Sequence, residues 1–202
     1  TFESNVNNLF LILEFARTNK KRIKIFYASS SEIFKNHKKN IFNEKSEIAP
    51  RTPYGISKAA GFWLIKFYRN YHNIFCSCGI LFNHESPLRS KNFVFKKIIN
   101  ESKKIKKIGG KISLGNIKIK RDIGWAPDYV VAMWKMLQLK KPHDFVIGTG
   151  KLHSVKDFLK IAFNLVNLNY KKFIKINKNF YRPNDKFHLV ADFKKAKKIL
   201  KW

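Results

Sequence analysis

The segment "NIFCSCGILFN", from Asn73 to Asn83, constrains the fold more than any other stretch of this chain. It is almost continuously apolar, whereas a strand with one face in water alternates apolar and polar residues. Strands that read this way are covered on both faces, as in parallel sheets flanked by helices. The run is also far shorter than the roughly 20 residues of a membrane-spanning helix. It therefore predicts a buried parallel strand.

Strand-like and helix-like segments alternate along the rest of the chain. The segments "IKIFYASS" and "DFVIGTG" read as strands, and "GGKISLGN" reads as a short strand between turns. Apolar residues recur at helical spacing in a first stripe made of Val6, Leu9, Phe10, Leu13 and Ala16. Further helices are predicted from Tyr54 to Tyr71 and in "NFVFKKIINESKKI", "PDYVVAMWKMLQ" and "HSVKDFLKIAFNLV". Ser154 is the predicted N-cap of the last of these helices. The segment "LVADFKKAKKILKW" reads as a strand followed by a helix. This alternation favours an α/β fold with a parallel sheet.

The chain is strongly basic, with 42 Lys and Arg residues against 13 Asp and Glu and a formal net charge of +29. Such a charge suits a polyanionic partner, and nucleic acid is one class to consider. The lysines stand in ones and twos along the whole chain, however, and form no long basic block. We therefore expect no nucleic-acid partner, and a phosphate-bearing small substrate fits the charge equally well.

The cysteines and histidines predict packing rather than metal chemistry. Cys76 and Cys78 are two residues apart on the predicted strand, so they face the same side, and a C-x-C pair alone is neither a zinc framework nor a redox motif. The six histidines show no metal-ligand spacing. With no visible signal peptide and no membrane span, we expect a cytoplasmic protein that binds no metal and no membrane.

The segment "RTPYGISKAAG" places Lys58 four residues after Tyr54, on the same face of a helix. A nearby ammonium favours the phenolate form of a tyrosine, whose ordinary pKa is near 10. A third hydroxyl at the end of the preceding strand, in "YASSSEIF", could bond the phenol or the substrate. Such a set can deprotonate an alcohol while a nicotinamide takes the hydride. Alone, the Y-x-x-x-K spacing is a weak signal.

Seven segments together resemble the GDP-mannose 4,6-dehydratases, a family of extended short-chain dehydrogenases/reductases. They are "YASSSEIF", "RTPYGISKAAG", "GILFNHESPLR", "NFVFKKI", "SLGNIKIKRDIGWAPDYVVAMWKMLQ", "DFVIGTGKLHSV" and "FYRPND". The resemblance runs from Thr1 to Trp202. It implies the C-terminal part of a Rossmann-type doubly wound parallel sheet with a small nucleotide-sugar-binding domain. Residues 1–83 would be a partial NADP-binding domain, and residues 84–202 a substrate-binding domain interleaved with the last sheet elements.

In that family the enzyme binds NADP and converts GDP-mannose to GDP-4-dehydro-6-deoxy-mannose and water through a transient oxidation at C4. The resemblance implies four catalytic residues: Ser30, Glu32, Tyr54 and Lys58. It implies cofactor contacts for Tyr54, Lys58, His84 and Arg89. It implies substrate contacts for Asn83, Lys97, Arg121, Arg182 and Asp185, with Arg121 and Arg182 holding the nucleotide diphosphate. The resemblance also implies a homo-oligomer, dimer or tetramer, for the complete enzyme.

The chain also departs from the family pattern. Ser30 stands where the family has threonine and Tyr27 where it has glutamine. No glycine precedes Gly55, so the glycine-rich turn that holds a dinucleotide pyrophosphate is missing, and we expect the chain by itself to be inactive. Two other functions stay open: another nucleotide-sugar dehydratase or an epimerase, and a basic non-catalytic nucleic-acid-binding protein. Glu32 argues for dehydration, because epimerases do not need that carboxylate.

Overall fold

The computed structural model describes residues 1–19, 23–35, 41–181 and 188–202. Its helices are α1 (Asn8–Thr18), α2 (Pro53–His72), α3 (Val94–Ile108), α4 (Ala126–Gln138), α5 (Val155–Asn164) and α6 (Lys194–Leu200). Its strands are β1 (Ile25–Ser30), β2 (Ile41–Phe42), β3 (Cys76–Leu81), β4 (Asn83–Glu85), β5 (Ile112–Leu114), β6 (Lys120–Trp125), β7 (Phe145–Ile147), β8 (Leu152–Ser154), β9 (Ile174–Ile176) and β10 (Val190–Ala191).

A parallel sheet of three strands, in the order β1-β3-β7, lies at the centre of the fold. The apolar run that opened the sequence forms β3, the middle strand, and all six of its residues are buried. Helix α2 connects β1 to β3, as a parallel pair requires. The predicted α/β fold with a parallel sheet is confirmed.

The central sheet has a core on each face. Alternate side chains of β1 point into one core and then into the other. Ile25 and Tyr27 pack into a core with α1 and α2, which also takes up Cys76 and Cys78 as buried thiols. Phe26 and Ala28 pack on the opposite face against a second core built largely from α4, α6 and β7. Helices on both faces explain why β3 reads as a continuous apolar run.

The helix ends follow ordinary capping chemistry. Helix α2 starts with Thr52 as N-cap and Pro53 in the first turn, where a missing N–H costs nothing. Helix α5 starts with the predicted Ser154 cap, which forms a reciprocal capping box with Asp157. One expectation for α1 is wrong: Phe10 does not join the buried stripe and is 44% exposed, because the buried face runs through Leu9, Leu13 and Ala16.

A third core lies within the C-terminal part of the chain, between α3, α5 and the parallel pair β5-β9. A separate sheet in the order β4-β6-β8 pairs β6 parallel with β4 and antiparallel with β8. Strand β10 pairs with β2, and β7 returns to the central sheet. The predicted boundary between residues 83 and 84 stays a prediction.

No helix in the described ranges is long and apolar enough to cross a membrane. Within the same residues, no group of three or more histidine, cysteine, aspartate or glutamate side chains could hold a metal ion.

Candidate active site

The predicted catalytic residues meet where β1 ends. Ser30 is the last residue of β1, and the short turn Ser31–Ile33 that follows carries Glu32. Tyr54 and Lys58 stand in the first turns of α2, which packs against β1 and this turn. The carboxyl ends of strands are where open α/β sheets bind their ligands.

Tyr54 lies among three of the predicted site residues. It is 42% exposed, and the side chain of Ser30 lies close enough to the phenol to lower its pKa. Burial raises the pKa of Tyr54 above its ordinary value, and Ser30 opposes that rise. The charge of Glu32 also raises the pKa of Tyr54, while the charge of Arg89 lowers it. The structure thus brings Ser30, Glu32 and Arg89 into the environment of one phenol.

Lys58 does not act on Tyr54 as the sequence led us to expect. Its Nζ donates a 2.9 Å hydrogen bond to the carbonyl of Ala28 on β1, and lies 5.7 Å from the centroid of the Tyr54 ring. Burial lowers the pKa of Lys58 itself. The net shift of the Tyr54 pKa is upward rather than downward, because burial outweighs the contacts that lower it.

Thr52, which the sequence analysis missed, connects Glu32 to the start of α2. Its Oγ1 donates to Oε2 of Glu32 at 2.9 Å and accepts from the backbone N–H of Gly55 at 2.9 Å. A Cβ at position 55 would lie 2.7 Å from the main-chain oxygen of Glu32, so only glycine lets the helix approach this closely. The available signal was a threonine directly before Pro53, typical of an N-cap.

The two predicted cofactor contacts beyond α2 follow β3. Nδ1 of His84 lies 2.9 Å from the carbonyl oxygen of Phe82, and the imidazole packs on Tyr129 at 4.7 Å between ring centroids. The guanidinium of Arg89 lies 3.7 Å from the centroid of the Phe93 ring, and its Nε is 3.4 Å from Oε1 of Glu85. Burial raises the pKa of Glu85, and Arg89 opposes that shift.

The predicted substrate contacts lie on three different elements. Nδ2 of Asn83, on β4, donates a long 3.5 Å hydrogen bond to the carbonyl of Asp122 on β6. Arg121, the residue before Asp122, donates from Nη1 to the carbonyl of Lys120 at 2.9 Å. Nζ of Lys97, on α3, donates to the carbonyl of Ser113 at 3.0 Å and lies 5.5 Å from the centroid of the Phe180 ring.

Two substrate predictions cannot be placed, since Arg182 and Asp185 lie outside the described residues. Of the other predicted site residues, the structure brings together those around Tyr54. It also pairs the strand that carries Asn83 with the strand that carries Arg121.

Comparison with known proteins assigns the family. The family model described as GDP-mannose 4,6 dehydratase matches residues 1–202. The chain belongs to the GDP-mannose 4,6-dehydratase family. It is 43% identical over 185 residues to GDP-mannose 4,6 dehydratase 1 of Arabidopsis thaliana, a match that covers 91% of this chain and 51% of that protein.

A second relative gives the same result. The chain is 38% identical over 201 residues to GDP-mannose 4,6 dehydratase of Homo sapiens, covering 89% of this chain and 53% of that one. The chain spans about half the length of the curated relatives it matches.

Solved structures show that this member of the GDP-mannose 4,6-dehydratase family has a widespread fold. RMD from Pseudomonas aeruginosa, complexed with NADPH, superposes with a TM-score of 0.90 at 16% identity, covering all of this chain and 68% of that one. The dTDP-glucose 4,6-dehydratase of Bacillus anthracis, in complex with NAD, gives a TM-score of 0.88 at 19% identity and covers 100% and 62%. At these identities the likeness concerns the fold alone.

Asp122 is a second residue that the sequence analysis missed in this family member. Its carboxylate is fully buried and accepts four hydrogen bonds. In the sequence it stands in "NIKIKRDIG", a stretch that reads as a solvated charge run. No local signal marks the aspartate as buried, because its donors come from distant parts of the chain.

Proposed function

We propose that this chain carries the dehydration chemistry of its family: conversion of GDP-mannose to GDP-4-dehydro-6-deoxy-mannose and water, a carbon–oxygen lyase reaction with NADP as cofactor. The observation that supports this most is the grouping of Ser30, Glu32 and Tyr54 at the end of β1. A phenol, a hydroxyl and a carboxylate are the groups that an oxidation at C4 followed by an elimination requires.

The residues present fit a nicotinamide cofactor. Lys58 offers an ammonium at the end of β1, and Arg89 offers a guanidinium near Tyr54. Together with His84, these cationic and hydrogen-bonding side chains suit ribose hydroxyls and a charged cofactor. When bound, the cofactor would supply the hydride acceptor for C4 and the hydride donor for C6.

Tyr54 is the group that takes the proton from the 4-hydroxyl. The side chain of Ser30 lowers the pKa of Tyr54, and its oxygen accepts from the backbone N–H of Glu32 at 3.2 Å. Because burial raises the pKa of Tyr54, a cation must favour the phenolate for this step. Arg89 is a cation whose charge lowers the pKa of Tyr54, in addition to the effect of Ser30.

Glu32 is the group that removes the proton from C5. A ketone at C4 makes that proton acidic, so a carboxylate is a strong enough base. The C5 proton and the C6 hydroxyl then leave as water. Thr52, two residues before Tyr54, holds the carboxylate by its 2.9 Å hydrogen bond.

The test uses a chimera, because the chain spans about half the length of its relatives. The part of the Arabidopsis relative that precedes its matched segment would be joined before Thr1, and a Tyr54→Phe chimera would serve as matched control. GDP-mannose, dTDP-glucose and UDP-glucose would each be supplied with NADP and products followed by mass spectrometry. We expect loss of water from GDP-mannose only, and none with the control.

Turnover of another nucleotide sugar, or an isomer without loss of water, would favour the dehydratase or epimerase alternatives instead. Equal product from the Tyr54→Phe chimera would contradict the role of Tyr54.

We also propose that the chain assembles with copies of itself through α1 and α2. Their outer surface carries large exposed apolar side chains: Phe10, Phe15, Trp63, Phe67 and Tyr71. Large apolar side chains left exposed on two helices are typical of an interaction site. Light scattering of the purified chain should give a multiple of its 23.8 kDa mass, and Phe67→Lys should lower it. A monomeric wild-type chain would contradict this proposal.

For the cellular compartment we propose the cytoplasm. Cys76 and Cys78 are both free thiols, buried in the core beside α2. Burial raises the pKa of the Cys76 thiol to about 12, so it is unreactive as well as shielded. Thiols kept reduced are typical of a reducing compartment.

A further inference from the structure

The buried carboxylate of Asp122 connects three separate segments of the chain. Oδ1 accepts from the backbone N–H and from Oγ1 of Thr149, at 2.8 and 2.6 Å. Oδ2 accepts from the backbone N–H of Gly150 at 2.8 Å and from that of Ala191 at 3.0 Å. The carboxylate on β6 thus holds both the turn between β7 and β8 and strand β10.

With these four donors, each oxygen of the Asp122 carboxylate accepts two hydrogen bonds. A carboxylate without such donors is costly to bury. An ionised carboxylate removed from water requires several good donors, and hydrogen bonds to a charged acceptor are the strong kind. The four donors found among the described residues are uncharged. Among the described residues, the Asp122 carboxylate is thus stabilised by N–H and O–H dipoles rather than by a salt bridge.

The turn is built for this contact. Gly150 has φ +71, a conformation that favours glycine, and so turns its N–H towards Asp122. Thr149 contributes two donors, one from its backbone and one from its hydroxyl. The "TG" in "DFVIGTGKLHSV" therefore has a physical reason, although neither residue belongs to the catalytic group around Tyr54.

Asp122 also lies beside the residues assigned to the nucleotide sugar. Arg121 is its neighbour on β6, and because side chains alternate along a strand, Arg121 points away from the buried carboxylate. The amide of Asn83 donates to the main-chain carbonyl of Asp122. In the sequence, β10 comes shortly after Arg182, the other arginine assigned to the diphosphate.

We propose that Asp122 is a positioning residue for the diphosphate site: with Thr149 and Gly150 it fixes the backbone of β6 so that Arg121 is presented to the substrate in one orientation. This rests on the proposed function and on the substrate contact that the family resemblance implies for Arg121. Holding a charged ligand-binding group in place before binding lowers the entropy lost on binding.

The test removes one donor and keeps the fold, using the full 202-residue chain. Thr149→Val has nearly the same shape but lacks the hydroxyl, and Thr149→Ser keeps the hydroxyl and is the matched control. Asp122→Asn, which places an amide N–H₂ among N–H donors, is the stronger second variant. GDP affinity is measured by calorimetry, and motion of the Arg121 side-chain N–H by NMR relaxation.

We expect Thr149→Val to weaken GDP binding roughly tenfold, the size of effect that a misplaced charged hydrogen bond produces, and Asp122→Asn to weaken it further. The Arg121 N–H should become more mobile in Thr149→Val. Thr149→Ser should bind GDP within about twofold of wild type, the variation expected for an independent surface change. Recovery by serine distinguishes positioning from a general loss of packing.

Three results would overturn the proposal: unchanged GDP affinity and Arg121 motion in Thr149→Val, a Thr149→Ser variant as weak as Thr149→Val, or loss of the fold in Thr149→Val. If the wild-type chain does not bind GDP, the proposed function is contradicted separately. The positioning role is then judged by the motion of the Arg121 side chain alone. Greater motion in Thr149→Val but not in Thr149→Ser supports the role, and any other result overturns it.

Discussion

The hydroxyl of Thr52 donates a 2.9 Å hydrogen bond to the carboxylate of Glu32. The same oxygen accepts the backbone N–H of Gly55 and so caps α2, the helix that carries Tyr54. One hydroxyl can both donate and accept, so a single atom serves helix stability and the proposed general base. The position of the carboxylate relative to the phenol therefore depends on how the helix begins.

Replacing Thr52 by valine should affect stability and catalysis together. Loss of an N-cap costs about 1 kcal/mol, so the urea midpoint of the chain should fall. In the chimera, GDP-mannose turnover should fall by more than this loss of stability explains, because Glu32 loses its donor. Thr52→Ser keeps both hydrogen bonds and should behave like wild type. A valine variant with full turnover would show that Glu32 needs no such support.

Glu32→Gln should separate the two halves of the reaction. The amide keeps the shape of the side chain and loses its basicity, so oxidation at C4 proceeds and elimination stops. In the chimera, the expected signature is reduced cofactor that appears and persists without 6-deoxy product. Rapid mixing with absorbance and product analysis would follow both. Normal product formation would show that Glu32 is not the base that removes the C5 proton.

Arg89 should set the pH dependence of the oxidation. Its charge lowers the pKa of Tyr54, so Arg89→Met should raise that pKa and move the rising limb of the pH–rate profile to higher pH. Arg89→Lys keeps the charge and should shift the limb less. The measurement is kcat/KM of the chimera as a function of pH. Identical profiles for arginine and methionine would exclude this role.

Glu14 should make the stability of the chain sensitive to acid. Hydrogen bonds from Arg17 and Tyr68 lower the pKa of Glu14 from 4.5 to about 2. A carboxyl with a lowered folded-state pKa contributes stability above its unfolded pKa and loses it as pH falls through the folded value. Urea unfolding between about pH 5 and about pH 2.5 should therefore show a shallower loss for Glu14→Gln than for wild type.

Glu101→Gln, which removes a carboxylate from α3, is the control for this titration. It should leave the acid slope unchanged. Equal slopes for Glu14→Gln and wild type would mean that the contact between α1 and α2 does not depend on this charge.

Sequence patterns predicted the elements whose signals are local. The apolar run of β3, the start of α2, predicted at Tyr54 and found at Pro53, and the Ser154 cap of α5 each depend on neighbours within a few residues. The strands of the β4-β6-β8 sheet were missed, because they are short and pair across long stretches of chain. Their stability comes from partners that no local window contains.

The same distinction applies to the site. Family resemblance supplied Tyr54, Glu32 and Ser30, and the structure brings these three together. The resemblance could not supply the direction in which the pKa of Tyr54 shifts, because that direction depends on how deeply α2 packs against β1. Nor could it find Asp122, because a buried aspartate and a surface aspartate look identical until Thr149, Gly150 and Ala191 are seen around it.

The most direct test of the proposed dehydration follows one hydrogen atom through the reaction. GDP-mannose labelled with deuterium at C4 would be given to the chimera with unlabelled NADP, and the product examined by NMR and mass spectrometry. If Tyr54 and Glu32 act as proposed, the product has lost water and carries the deuterium at C6. A dehydrated product without deuterium at C6, or no dehydrated product from a folded chimera, would contradict the proposed function.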